Sequence, residues 1–135
     1  LGYQTARVRV EPLPAVLAHP VLLGQIFQNL LSNAFKFVAP GVVPEVRVRA
    51  ERRGRRVRFW VEDNGIGIAP RDQKRIFGDF ERAPSSLEYP GTGIGLAIVR
   101  RSVDRLGGRV GMASEEGRGS RFWFELPAAD REIRR

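Results

Sequence analysis

Three short stretches of this 135-residue sequence put polar groups where an ordinary fold has little use for them. In the first, Asn29, Asn33 and Lys36 stand at i, i+4 and i+7, on one face of any helix that carries them, with Phe37 one turn after Asn33. An asparagine inside a helix costs roughly half a kcal/mol against alanine. Leu30, Leu31, Ala34 and Phe35 flank these amides too closely for a plain solvated face. An amide carbonyl oxygen suits Mg2+, a hard cation that takes oxygen ligands and keeps phosphate oxygens and waters besides. Lys36 would add a point charge for phosphates.

In the second stretch an apolar strand delivers Asp63 into the turn Asp63-Asn64-Gly65-Ile66-Gly67. A buried carboxylate must find donors. The exocyclic amine of adenine is one, and glycines beside it let the backbone approach a ring closely. A simple Asp-Asn-Gly turn would leave Gly67 and its flanking isoleucines unexplained. In the third stretch, Gly91-Thr92-Gly93-Ile94-Gly95-Leu96 opens a helix, where free amides and the helix dipole favour an anion. No Lys-Ser/Thr follows, so it is not a P-loop. No strand immediately precedes it, as a dinucleotide fold would need.

The elements that must position these residues follow from periodicity. Arg7–Val10 alternates as a strand, and Ala15–Ala18 reads as a second short one. Pro20 suits a first helical turn, and apolar residues at 22, 23, 26, 27, 30, 31, 34 and 35 carry the helix to about Phe37. Val46–Glu51 and Val57–Glu62 alternate around Arg53-Gly54-Arg55 as a hairpin. Pro70–Phe77 suggests a short helix, and residues 78–92 lack periodicity and read as a loop. Gly93–Leu106 is expected to be helical and capped by Gly107-Gly108. Val110–Ser114 and Ser120–Leu126 form a last hairpin. The order predicts an α/β two-layer sandwich, one mixed and mostly antiparallel sheet with helices on one face. The expected domain covers residues 1–127, with a polar tail at 128–135.

Bulk composition narrows the function classes. No cysteine is present, which excludes disulfides, thiolate nucleophiles and cysteine metal sites, and His19 alone cannot build a histidine-rich one. No run of 18 apolar residues exists to span a membrane, and no signal-peptide pattern opens the chain. The expected setting is cytoplasmic, with any membrane attachment through parts of a longer protein; the start without methionine reads as a piece of one. The net charge is +8, but the arginines at 7, 9, 47, 49, 56 and 58 alternate with apolar residues, as the outer face of a half-covered sheet should. We therefore read a solvated face and expect no nucleic-acid partner.

Taken together the motifs resemble a known family. Residues 29–37 look like the N box of sensor histidine kinases, Asp63–Gly67 like their first glycine box, Ile76–Arg82 like their F box, Gly91–Gly95 like the second glycine box and Gly117–Phe122 like the terminal glycine motif. Order and spacing agree over residues 19–127, within the superfamily of gyrase, Hsp90, MutL and histidine kinases that shares the Bergerat ATP-binding fold. The run Glu88–Gly93 is similar to phytochrome-type and hybrid kinases. The resemblance implies that ATP and Mg2+ are the cofactors. It implies Asn33 as metal ligand, Asn29 and Lys36 at the metal-bound phosphates and Phe37 beside the nucleotide. It further implies Asp63 as acceptor for the adenine amine with Gly65 and Gly67 close by, and Ser120 supporting through water. Arg82 would approach the phosphates from a lid at 78–92, while Thr92, Gly93, Gly95 and Leu96 would form the phosphate-binding helix start. Two residues depart from the family habit: Asp79 stands where proline is common, and His19 stands where aspartate is usual, as a residue that opens the helix.

In the ATPase branch of that superfamily a glutamate one turn before the magnesium asparagine activates water. Here that position is Asn29, and a neutral amide cannot take a proton as a carboxylate can. The resemblance therefore implies a domain that hydrolyses ATP poorly and presents the γ-phosphate to a histidine on a separate dimerisation domain, with a response regulator receiver domain downstream. Two alternatives stay open: an anti-sigma-type serine kinase of the same fold, opposed by Lys36-Phe37 and the F box, and a nucleotide-free interaction module, opposed by Asn33, Asp63 and Gly93.

Overall fold

The computed structural model describes residues 6–73, 76–77 and 95–129. Five strands form one sheet: β1 (Arg7–Val10), β2 (Glu45–Arg53), β3 (Arg56–Asp63), β4 (Arg109–Glu115) and β5 (Gly119–Pro127). Their spatial order is β1-β2-β3-β5-β4. Only β1 runs parallel to its neighbour, with Arg7 beside Glu45; the remaining pairs are antiparallel. Helices α1 (Pro20–Lys36) and α2 (Gly95–Arg105) lie against one face. This is the expected two-layer sandwich.

The period-2 pattern sets which face each side chain takes. Val46 and Val48 of β2, Val57, Phe59 and Val61 of β3, and Phe122, Phe124 and Leu126 of β5 point inward and are buried. They meet Ile26, Leu30 and Ala34 of α1 and Val99 and Val103 of α2 in one core. Phe59 and Phe124 stack at 4.9 Å, and Phe27 of α1 closes edge-on over both, at 5.8 and 5.3 Å. The opposite face carries the arginines in ion pairs: Arg49 with Glu62 at 3.0 Å, and both Arg58 and Arg109 with Glu125, at 2.7 and 2.9 Å. Arg58 also lies 3.7 Å from the centre of the Trp123 ring, a cation–π contact.

Helix ends follow local chemistry. His19 caps α1, its Nδ1 accepting from the Val21 amide at 3.2 Å, and Pro20 fills the first turn. After α2, Gly107 takes φ +80° and the Gly108 amide donates to Val103 O at 2.9 Å, the left-handed stop expected of the Gly-Gly pair. Two expectations need correction. Ala15–Ala18 is not a strand but a single bridge of Val16 to Ala128, because Pro12, Pro14 and Pro20 leave too few free amides around it for a ladder. The helix foreseen over Pro70–Phe77 reduces to one 3-10 turn, Pro70–Asp72. The segment 78–92 and the first two residues foreseen for the second helix, Gly93 and Ile94, lie outside the described residues. No described helix is long and apolar enough to cross a membrane.

Candidate functional site

Asp63 ends β3, where the sheet opens toward the start of β5. Its side chain is half-buried, and two backbone amides converge on Oδ1, Gly65 at 2.8 Å and Ser120 at 3.1 Å. Burial pushes its pKa up to about 6, against the pull of those two hydrogen bonds. Among the described residues Oδ2 receives no hydrogen bond and no cation pairs with the group. A carboxylate desolvated in this way, with one oxygen unclaimed among the described residues, has acceptor capacity to spare.

The loop after Asp63 is shaped by close backbone approaches. A Cβ on Gly65 would stand 2.3 Å from Phe37 O, and one on Gly67, at φ +75°, 2.1 Å from Glu115 O. Both positions therefore exclude any side chain. The Ile66 amide donates to Phe37 O at 2.8 Å, and the Gly117 amide to Ile66 O at 2.7 Å, so the loop is stitched to the end of α1 and to the β4–β5 turn. Asn64 locks the other side, accepting from the Glu45 amide at 2.8 Å and donating to Val43 O at 3.0 Å.

The polar face of α1 borders the same region. Asn29, Asn33 and Lys36 are half-buried. The Asn29 amide donates to Gln25 O at 2.8 Å, and its Oδ1 faces the first turn of α2, 3.0 Å from where a Cβ on Gly95 would stand. The Asn33 side chain makes no hydrogen bond among the described residues. Lys36 Nζ lies 5.9 Å from the centre of the Phe37 ring. Leu96 packs against the core at the start of α2.

The structure thus links Asp63, Gly65 and Ser120 by hydrogen bonds, ties their loop to Phe37 through the Ile66 amide, packs Gly67 against Glu115 O, and sets Asn29 against Gly95. No hydrogen bond among the described residues joins Asp63 to Asn29, Asn33 or Lys36; the link runs through the Phe37 carbonyl. Arg82, Thr92 and Gly93 lie outside the described residues. Four residues not predicted as site residues contribute. Asn64 was seen only as a turn residue. Gly119, at φ +102°, would put a Cβ 2.1 Å from Asp63 O. Ser114 holds the Ile68 amide at 2.8 Å, while Gln73 clamps the Ile68 and Ser114 carbonyls at 2.9 and 3.2 Å. The Gly-Arg-Gly-Ser run signalled Gly119, but nothing in the local pattern marked Ser114.

A family model described as histidine kinase-, DNA gyrase B-, and HSP90-like ATPase matches residues 18–130. The chain belongs to that family. Within it, the chain is homologous to sensor histidine kinases. It is 42% identical over 130 residues to cyanobacterial phytochrome A of Nostoc sp., covering 96% of this chain and 17% of that protein. It is 47% identical over 114 residues to the sensor histidine kinase AruS of Pseudomonas aeruginosa, covering 79% of this chain and 11% of that one. Among solved structures, the mycobacterial sensor histidine kinase MprB superposes with a TM-score of 0.76 at 30% identity, covering 90% of this chain and 82% of that chain. Full-length ShkA, solved with AMPPNP, superposes with a TM-score of 0.77 at 41% identity, covering 92% and 26%. The chain spans less than a fifth of the length of these two curated relatives.

Proposed function

We propose that this chain binds Mg-ATP between the Asp63 loop and the polar face of α1, and donates the γ-phosphate to a histidine on a dimerisation domain outside it. The observation that carries the reading is Asp63: a half-buried carboxylate held by two backbone amides on one oxygen, with the other oxygen unclaimed among the described residues. The amine of adenine is the donor that fits. Gly65 and Gly67 let the loop that carries Asp63 pack directly on the Phe37 and Glu115 carbonyls, and Phe37 flanks the base.

The α1 face suits the phosphates. Asn33 offers a half-buried amide that the described residues leave uncommitted, and its carbonyl oxygen suits Mg2+. When bound, the ion neutralises charge on the phosphate oxygens. Lys36 adds a cation at the end of the same face, and the amides at the start of α2 suit an anion, to which Thr92, Gly93 and Gly95 would contribute. Arg82 would approach from the 78–92 lid. Asn29 stands one turn before Asn33 and can orient phosphate-bound groups, but it cannot act as a base toward water. Transfer therefore needs an external nucleophile. An imidazole nitrogen attacks the γ-phosphorus, the bond to the β-phosphate oxygen breaks, and ADP leaves while the imidazole proton passes to solvent. A receiver domain would take the phosphoryl group onward.

Mixing the chain with radiolabelled ATP, Mg2+ and a separately made histidine-bearing dimerisation segment tests the proposal. Label is expected on the segment with the native chain and none with Asn33→Ala. Rapid release of free phosphate without label on any histidine would favour an ATPase and overturn it.

A further inference from the structure

Ser114 and Ser120 face each other across β4 and β5, both on the inner face of the sheet. Their hydroxyl oxygens are 2.8 Å apart. Ser114 Oγ also accepts from the Ile68 amide at 2.8 Å and lies 2.9 Å from Gly119 O. Each hydroxyl has one proton and two acceptor lone pairs. If Ser114 turns its proton to Ser120, the Gly119 carbonyl loses that donor and the Ser120 proton has no partner among the described residues. If Ser114 donates to Gly119 O and Ser120 donates to Ser114, every proton is used and one hydrogen bond more is made. The second arrangement is the one the geometry favours.

We propose that Ser114 is a positioning residue that fixes the Ser120 hydroxyl as a hydrogen-bond acceptor and so sets base selectivity. The inference rests on the nucleotide reading above. Ser120 adjoins Asp63, since its amide donates to Oδ1. With the Ser120 proton turned away to Ser114, this end of the site holds two acceptors, Asp63 Oδ2 and Ser120 Oγ. Such a pair accepts an exocyclic amine and repels a keto oxygen. A water held at Ser120 must donate one proton to it and keeps the other for an acceptor ring nitrogen, which adenine has beside its amine and hypoxanthine, protonated there, lacks. Without Ser114 the Ser120 hydroxyl turns freely and serves either base edge. A hydrogen-bonded group of this kind discriminates more strongly than apolar fit.

The test is calorimetric titration of the chain with ATP and with inosine triphosphate, both with Mg2+, for the native chain and for Ser114→Ala and Ser114→Thr. Native protein should prefer ATP. Ser114→Ala should lose about tenfold in ATP affinity while inosine triphosphate changes less than about twofold, a hydrogen-bond-sized effect. Ser114→Thr, which keeps the hydroxyl, should restore the preference. Equal weakening of both nucleotides in Ser114→Ala, or an unchanged ratio, overturns the inference and leaves the nucleotide reading standing. Failure of the native chain to bind either nucleotide removes both. Thermal melting checks that Ser114→Ala is folded; should it not be, Ser114→Cys, with its weak donor of similar size, takes its place under the same criteria.

Discussion

A Cβ on Gly65 would stand 2.3 Å from the carbonyl oxygen of Phe37. The same oxygen accepts the Ile66 amide at 2.8 Å, so the last turn of α1 and the loop carrying Asp63 share one backbone contact. Gly65→Ala must push them apart. Overpacking of this kind costs about 1–3 kcal/mol, and the displaced loop would carry the Gly65 amide off Asp63. Urea denaturation should show that loss, and ATP affinity should fall at least about tenfold. A variant of native stability and native affinity would show that the loop moves freely against α1.

Two carboxylates, half-buried Asp63 and buried Glu125, give opposite pH signatures. The pKa of Asp63 is raised from 3.8 to about 6, so the folded state binds its proton more tightly than the unfolded chain. Its contribution to stability is present below pH 3.8 and is lost as pH rises through 6, a change of roughly 3 kcal/mol between the two limits. Asp63→Asn removes this slope. At pH 7 that variant should be more stable than the native chain while binding ATP far more weakly, because an amide nitrogen can replace the acceptor. In the native chain ATP affinity should decline below about pH 6, approaching tenfold per pH unit as the carboxylate protonates. Denaturation curves from pH 4 to pH 8 on both proteins check the sign; a flat difference between them would refute the assignment.

Burial pushes Glu125 upward, but hydrogen bonds from Arg109 and Arg58 outweigh it and hold the group below its ordinary value of 4.5. Its stabilisation is complete above pH 4.5 and fades as pH falls through the lower folded value. The side chain is 3% exposed, so Glu125→Ala leaves Arg58, itself 15% exposed, facing Trp123 without its counter-ion. Removing one partner of so buried a pair should cost about 3 kcal/mol. Chemical denaturation at pH 7 measures it, and a loss under about 1 kcal/mol would place the pair among ordinary surface contacts.

His19 caps α1 through Nδ1. His19→Ala should lower stability by about 1 kcal/mol, and His19→Asp should recover it, since a carboxylate both caps and complements the helix dipole. Thermal melting of the two variants at neutral pH decides; equal midpoints for both would mean the cap contributes nothing.

Much of this fold could be read from residue spacing. The apolar stripe from Leu22 to Phe35 and Pro20 together located α1 to within a residue of Pro20–Lys36, and strict alternation located β2 and β3. Ala15–Ala18 misled because four residues of strand-like composition say nothing about whether their backbone groups have partners; the pairing stops at one bridge, in which the Leu17 amide donates to Pro127 O and the Ala15 carbonyl accepts from Ala129. The parallel seat of β1 beside β2 depends on the crossover through α1, a tertiary fact. Asp63 and the glycines stood out because their types are unusual for a strand end. Ser114 did not, because a serine alternating in a strand looks the same whether it faces water or holds the Ile68 amide.

The most direct test of the central claim is titration of the chain with Mg-ATP by calorimetry, with Asp63→Asn alongside. The account predicts saturable binding of one nucleotide per native chain at pH 7.5, and a loss of at least about a hundredfold in the variant, as expected when a desolvated acceptor is replaced by a donor facing a donor. Native-like binding by Asp63→Asn, or no binding by the native chain, would contradict it.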